Sequence, residues 1–191
     1  MPDKPALHGS RLTLRPLAVG DARALFTILN EQEIMRLTGT EETFAYEQVE
    51  VYCARMALAE NRADYAITLR AQTGDHEETF LGEAILNDIN WRNHSAHYRI
   101  VLSETYVDHG YGSEATYLMM QYAFDMLKLH RIELEVYAFN PRALHVYEKL
   151  GFVQEGSLRD VLFMEGSYHS AVVMSLLEHE FDRSLASTYT R

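Results

Sequence analysis

From Arg11 to Leu17 the segment RLTLRPL sets Leu12 and Leu14 between polar neighbours, the period of a half-buried strand, with Leu17 closing it. Asp21 stands where it can cap a following helix, whose Leu25, Ile28 and Leu29 fall at helical spacing. A second helix is predicted over 46–60, with Val49, Tyr52, Cys53 and Met56 on one side. The pattern then becomes that of strands: YAITLRA at 65–71, FLGEAILNDIN at 80–90 and SAHYRIVL at 95–102. The polar turns QTGDHEE and WRNH separate them, which predicts an antiparallel meander. Gly112 opens a helix over 112–128 in which Ala115, Leu118, Tyr122 and Met126 recur at steps of three and four. HRIELEVYA, 130–138, reads as a strand with Ile132, Leu134 and Val136 on one face and Glu133 and Glu135 on the other. A short helix, PRALHVYEKL, follows and stops at Gly151. Two further strands flank the turn MEGS, and the chain after Phe181 reads as a loose tail.

The elements sum to one α+β domain over 1–181, a mixed, mostly antiparallel sheet of about six to seven strands with about four helices. Residues 182–191 form the tail. A chain of 191 residues, 47% apolar, buries one core and is short for two. No run of 18 apolar residues exists, as a membrane span requires, and the first residues lack the apolar stretch of a signal peptide. The single cysteine, Cys53, has no internal partner. A cytosolic protein is expected, and no membrane partner. With 28 acidic against 17 basic residues, the net charge of −11 repels nucleic acid and is compatible with a cationic substrate, although acidity also serves solubility alone.

Two segments carry candidate chemistry. In ETYVDHGYGSEA, Gly110 and Gly112 stand directly before a helix. Glycines there let backbone N–H groups converge on a ligand, and the helix N-terminus adds partial positive charge, which suits a phosphate. The same glycines also suit an ordinary tight turn. In NPRALHVYEKLGF, Asn140 leaves a strand, Pro141 fits the first helical turn, and Ala143 and Tyr147 share a face, so Tyr147 is either a core aromatic or a functional phenol. The nine histidines are scattered without HExxH or a second cysteine, so no metal site is expected. GxSxG is absent as well, which argues against a covalent enzyme intermediate.

Together, HGYGSEA before a helix and PRALHVYEKLGF after a strand ending in FN closely resemble the acetyl-CoA-binding core of the GNAT superfamily of N-acetyltransferases. The similarity is greatest to the branch of ribosomal-protein alanine acetyltransferases and spermidine acetyltransferases. It runs from RLTLRPL through LGEAILNDINWRN and SAHYRIVL to MEGSYHSAVVMSLL, nearly the whole chain. The resemblance implies that the backbone of His109, Gly110, Tyr111, Gly112 and Ser113 cradles the diphosphate of acetyl-CoA. It further implies that the backbone near Leu102 meets the pantetheine arm, that Asn140 hydrogen-bonds that arm, and that Tyr147 is the general acid beside the sulfur. Glu135 matches the position of the base in relatives of the alanine acetyltransferases, and a solvated strand carboxylate is the plain alternative. His97 stands where the branch often carries Glu and is the second candidate base. Asp88 is a candidate contact to a cationic substrate. Three positions depart from the pattern: Val107 replaces a usual Gln or Arg, His109 a frequent Lys, and Ile85 a carboxylate that the spermidine enzymes tend to show.

The implied reaction is direct acetyl transfer to a primary amine, whether of a polyamine, a small molecule or a protein N-terminus, with a base to deprotonate the ammonium and an acid for the thiolate. A catalytically inactive CoA-binding domain of the same fold is the alternative that the Val107 departure keeps open. The assembly expected for such a domain is a homodimer.

Overall fold

The computed structural model describes residues 4–56, 58–70 and 78–190. Eight strands form one sheet: β1 (Leu7–His8), β2 (Leu12–Pro16), β3 (Ala63–Leu69), β4 (Phe80–Asn90), β5 (Ser95–Leu102), β6 (Arg131–Tyr137), β7 (Val153–Met164) and β8 (Ser167–Leu177), in the order β1-β2-β3-β4-β5-β6-β8-β7. All neighbours are antiparallel except β5 and β6. The helices are α1 (Ala22–Leu29), α2 (Gln32–Thr38), α3 (Tyr46–Met56), α4 (Tyr111–Gln121), α5 (Pro141–Lys149) and a last turn, α6 (Ala186–Tyr189). The strand at 80–90 and that at 95–102 have the bounds that their alternation predicts. Ala71 and turn residues 72–77 lie outside the described residues.

The alternation of each strand decides which layer it faces. Leu12, Leu14, Tyr65, Ile67, Ala84, Leu86, Ala96, Tyr98, Ile132 and Leu134 turn to the side of α4 and α5 and form the main core. The other side of β2 to β4 carries a smaller cluster of Leu17, Ala22, Leu25, Val49, Cys53 and Ala66 under α1 and α3. Beyond it, the outward residues of β5 and β6 lie open to the second cavity described below.

Four expectations are corrected. The α4 segment is buried all round from Ser113 to Met120, and Met126, expected on its core face, is 52% exposed, because Tyr122–Met126 winds as a wider π-turn that rotates the last residues outward. Asp21 makes no cap bond to α1. Its carboxylate binds Arg15 at 2.7 and 2.8 Å and accepts the Ala18 N–H, since a buried carboxylate is stabilised most by a guanidinium. The second predicted helix ends at Met56, not near residue 60, and Lys4 donates from Nζ to the freed carbonyls of Met56 and Ala59. The segment after Phe181 is not loose. Phe181 and Tyr189 are buried with ring centroids 5.1 Å from Tyr117, and Ser10 donates its N–H to the Tyr189 carbonyl. The outer face of α4 is aromatic, and this segment keeps it from water.

Candidate active site

The parallel pair β5 and β6 is hydrogen-bonded only at its start, where Ser95, Ala96 and His97 face Arg131, Ile132 and Glu133. Beyond that point the strands diverge, and the sheet opens into a wedge whose facing backbone edges have no strand partner. Unpaired edge groups in a cleft are ready to bond a ligand's amides.

Two cavities occupy the wedge, one from each face of the sheet. The first, of about 320 Å³, lies on the α4 and α5 side, lined by Ile100, Val101 and Leu102 of β5, Val107, Asp108, Gly110 and Gly112 of the loop before and into α4, Ser113 and Thr116 of α4, and Asn140, Arg142, Ala143 and Val146 of α5. The second, of about 440 Å³, opens on the other face between Asn87, His97 and Arg99 on one wall and Glu135 and Tyr137 on the other. Leu37, Thr38, Ile100, Val101, Asn140, Ala143 and Tyr147 line both. Tyr147 stands where the two cavities meet.

The loop before α4 is built for an anion. Asp108 and Gly110 both take left-handed backbone conformations, with φ of 61° and 77°. The first helical bond runs from the Glu114 N–H to the Gly110 carbonyl, at 3.2 Å, so the N–H groups of the residues between have no carbonyl in the preceding turn and point out of the helix end. Two guanidinium groups reach this loop. Arg11 donates from Nη1 to the His109 carbonyl at 2.7 Å, from Nε to Glu114 at 2.8 Å, and lies 4.8 Å over the Tyr111 ring. Arg142 approaches Asp108 at 3.9 Å from α5. Glu114, fully buried, also accepts the N–H groups of Arg11 and Leu12, which fixes β2 against the loop. His109 stacks on Tyr111 at 5.6 Å and bonds through Nδ1 to the Val107 carbonyl at 2.6 Å. Arg11 and Arg142, neither legible by spacing, are thus the guanidinium groups beside the loop in which Val107 stands, and each also faces a carboxylate.

Asn140 caps α5, its Oδ1 accepting the Ala143 N–H at 3.1 Å, which leaves its Nδ2 group on the wall of both cavities. Tyr147 is 7% exposed, packed edge-on to Tyr98 with centroids 6.5 Å apart, and its hydroxyl has no hydrogen-bond partner among the described residues. Burial pushes its phenol well above the usual range, so it is protonated at neutral pH.

Glu135 and His97 both line the second cavity, on opposite walls. His97 is engaged: Nε2 lies 2.8 Å from Glu133, which also accepts from Arg131 at 2.9 Å. Arg131 in turn pairs with Glu155 at 2.6 Å and holds that carboxyl down to about 2, with help from the Ser175 hydroxyl. The Glu135 side chain makes no hydrogen bond or ion pair among the described residues. Asp88 is not brought to the site. It sits exposed on the bulge of β4, at a φ of 52°, where the Asn87 amide donates to it, and it lines neither cavity. The bulge turns Asp88 out while Asn87, one residue earlier, lines the second cavity. Asn87 Oδ1 is the one buried side-chain polar atom among the described residues without a hydrogen-bond partner.

Sequence reasoning missed α2 altogether, yet its Leu37 and Thr38 line both cavities. It is anchored through Glu31, which accepts from the Ser103 hydroxyl and the Glu104 N–H, each at 2.7 Å, and through the Glu33 N–H donating to Glu104. Ile34 and Leu37 followed by Gly39, left-handed at a φ of 66°, were the signal for a short helix with a glycine stop.

The site thus combines a strand wedge, a glycine loop at a helix N-terminus and a buried phenol between two cavities. The profile of the acetyltransferase (GNAT) domain matches residues 11–153, and the chain belongs to that family of N-acetyltransferases. Among its relatives, the spermidine N(1)-acetyltransferase of Vibrio cholerae is 29% identical over 172 residues, covering 90% of this chain and 96% of that one. The Escherichia coli spermidine N(1)-acetyltransferase is 28% identical over 177 residues, covering 93% and 90%. The crystal structure of the Vibrio cholerae spermidine N-acetyltransferase in complex with CoA and spermine superposes with a TM-score of 0.80 at 28% identity, covering 90% of this chain and 98% of that one.

Proposed function

We propose that this protein transfers an acetyl group from acetyl-CoA directly to a primary amine, with Tyr147 as general acid and Glu135 as the base. The observation that carries the reading is that Tyr147, with a hydroxyl that has no partner among the described residues, is one of the side chains lining both the cavity behind the glycine loop and the cavity on the opposite face. A group donor and an acceptor entering from opposite faces would then be brought together beside its hydroxyl.

The residues present fit acetyl-CoA. The loop from His109 to Ser113 offers free N–H groups and two nearby guanidinium groups to a diphosphate, and the open β5 edge by Leu102 with Asn140 Nδ2 offers bonding partners to an amide-bearing arm. Leu102 and Ala143 give that arm apolar contact. Acetyl-CoA, when bound, supplies the activated thioester.

The chain's own residues do the rest. An amine is protonated at neutral pH, and Glu135, unpaired and on the acceptor wall, takes the proton that frees the lone pair. Tyr147, kept protonated by burial, gives its hydroxyl proton to the departing sulfur. The N–H groups of β5 in the wedge polarise the carbonyl under attack. His97 is the second reading for the base, favoured by its place on the wall of the same cavity and by its bond to Glu133, which fixes the ring.

That the relatives named above are spermidine acetyltransferases supports a small-molecule amine as acceptor over a protein N-terminus. The test is calorimetric titration with acetyl-CoA, followed by thiol release across polyamines, amino acids and N-terminal peptides. Binding followed by release on an amine is expected. Binding without release on any of them would leave an inactive CoA-binding domain, and absence of binding would overturn the reading.

A further inference from the structure

The last hydrogen-bonded pair of the parallel strands joins His97 to Glu133, and in that register the next residues on the same face are Arg99 and Glu135. Because the strands diverge there, Arg99 and Glu135 face one another across the wedge without meeting. Both line the second cavity, and neither side chain makes a hydrogen bond or ion pair among the described residues. Among the described residues they are the only arginine and the only carboxylate in that lining, and the one histidine there, His97, is tied to Glu133.

A wall that offers one cation opposite one anion is complementary to a molecule carrying both charges. It is poorly matched to a polyamine, whose several ammonium groups would meet a single carboxylate and a guanidinium of like sign. The neighbours of Arg99 strengthen this. Its cross-strand partner is Ile85, an apolar side chain that offers the guanidinium no counter-charge. The buried Glu83, two residues before Ile85 on β4, makes no ion pair with Arg99: it accepts from the Tyr52 hydroxyl at 3.0 Å, and burial beside Asp64 raises it to about 8 although Arg62 and Arg99 favour its charge.

We propose that the acceptor is a zwitterionic amine, an amino acid in chemical class, with its ammonium at Glu135 and its anionic group on the guanidinium of Arg99. This rests on the acetyltransferase reading and adds Arg99 as the residue that sets specificity. Arginine is suited to the role because its fork binds a carboxylate through two parallel bonds.

The test measures thiol release with saturating acetyl-CoA on matched acceptors: the L-amino acids, β-alanine and γ-aminobutyrate, each beside its carboxamide, and spermidine. At least one acid should exceed its carboxamide by roughly 10- to 100-fold in kcat/KM, the range for loss of a charged hydrogen-bonding partner. Arg99→Gln should collapse that ratio towards one, and Arg99→Lys should restore part of it. Calorimetry with acetyl-CoA on each variant checks that the fold and the cofactor cavity, which Arg99 does not line, are intact. Turnover of spermidine or of the carboxamides as fast as of the acids, or an acid preference that survives Arg99→Gln, would overturn the proposal and leave the acetyltransferase reading standing. Failure to bind acetyl-CoA, or absence of release from every amine, would overturn both.

Discussion

On the α4 side of the wedge, the ligand-facing surface is mainly backbone and small or apolar side chains: the N–H groups after Gly110, the open edge of β5, Leu102, Ala143 and Val146. On the opposite face it is mainly ionisable or polar side chains, with Asn87, His97, Arg99, Glu135 and Tyr137 around the opening. The two surfaces share Tyr147, but they are under different physical constraints. A backbone cradle depends on main-chain conformation and on the absence of side chains, so it tolerates few residue types at a few positions. A wall of side chains can be re-specified one residue at a time without disturbing the strands that carry it. The first surface is therefore the harder to alter by substitution, and on the function proposed above the second is the one that would set acceptor preference.

Each half of this contrast can be broken separately. The largest effect is expected at the shared residue: Tyr147→Phe should lower turnover by about 10²-fold or more while acetyl-CoA affinity stays nearly intact, because only the proton donor is lost. Unchanged kcat on a genuine acceptor would remove the phenol from the chemistry. Next, on the side-chain wall, Glu135→Gln should cost roughly 10- to 100-fold at neutral pH. The loss should shrink as pH rises, because more of the amine is already deprotonated in solution. A pH–rate profile in which His97→Ala shows this recovery and Glu135→Gln does not would move the base across the wedge.

On the backbone side, Arg11→Ala should weaken acetyl-CoA binding by about 10-fold, read by calorimetry, with little change in acceptor selectivity. It also strands the buried Glu114 carboxylate, so thermal stability should drop. Since Arg11 is about half exposed, a loss of about 1–2 kcal/mol is expected rather than that of a fully buried pair.

The smallest effect concerns the support beneath the acceptor wall. Glu83 keeps its proton in the folded chain up to about 8, whereas an unfolded glutamate releases it near 4.5, chiefly because burial disfavours the charge. Between those values the folded state binds the extra proton, so stability should fall as pH rises through that window, by on the order of 1 kcal/mol per pH unit at most. Glu83→Gln keeps a partner for Tyr52 and should flatten the dependence. Melting temperatures of both proteins at pH 6 and pH 9 check this, and parallel slopes would mean that Glu83 is ionised throughout.

The same contrast separates what could be read from the chain from what could not. Strands β4 and β5 were legible because their strand-forming segments are bounded by polar turn residues, WRNH between them, that mark where each ends. The glycine loop and the Asn140-to-Tyr147 segment were legible because left-handed backbone, a helix cap and a helix stop each demand particular residues at fixed offsets. Met126 was misplaced because a π-turn changes the angular step without any mark in the sequence. The ordered segment after Phe181 was missed because its reason for folding, an aromatic outer face on α4, lies some 60 residues away in the chain. Asp88 was offered to the substrate in place of Asn87 because a β-bulge shifts the register by one residue, and alternation cannot report a shift it does not contain.

By itself, then, the sequence determined the strands, the anion loop and the residue at the crossing of the two cavities, because these follow from local backbone demands. Only the tertiary structure decided that β5 and β6 part after His97 and Glu133, so that Arg99 and Glu135 confront each other unpaired. Strand divergence depends on how α4 and α5 pack beneath the sheet, a sum of long-range contacts that no single segment encodes.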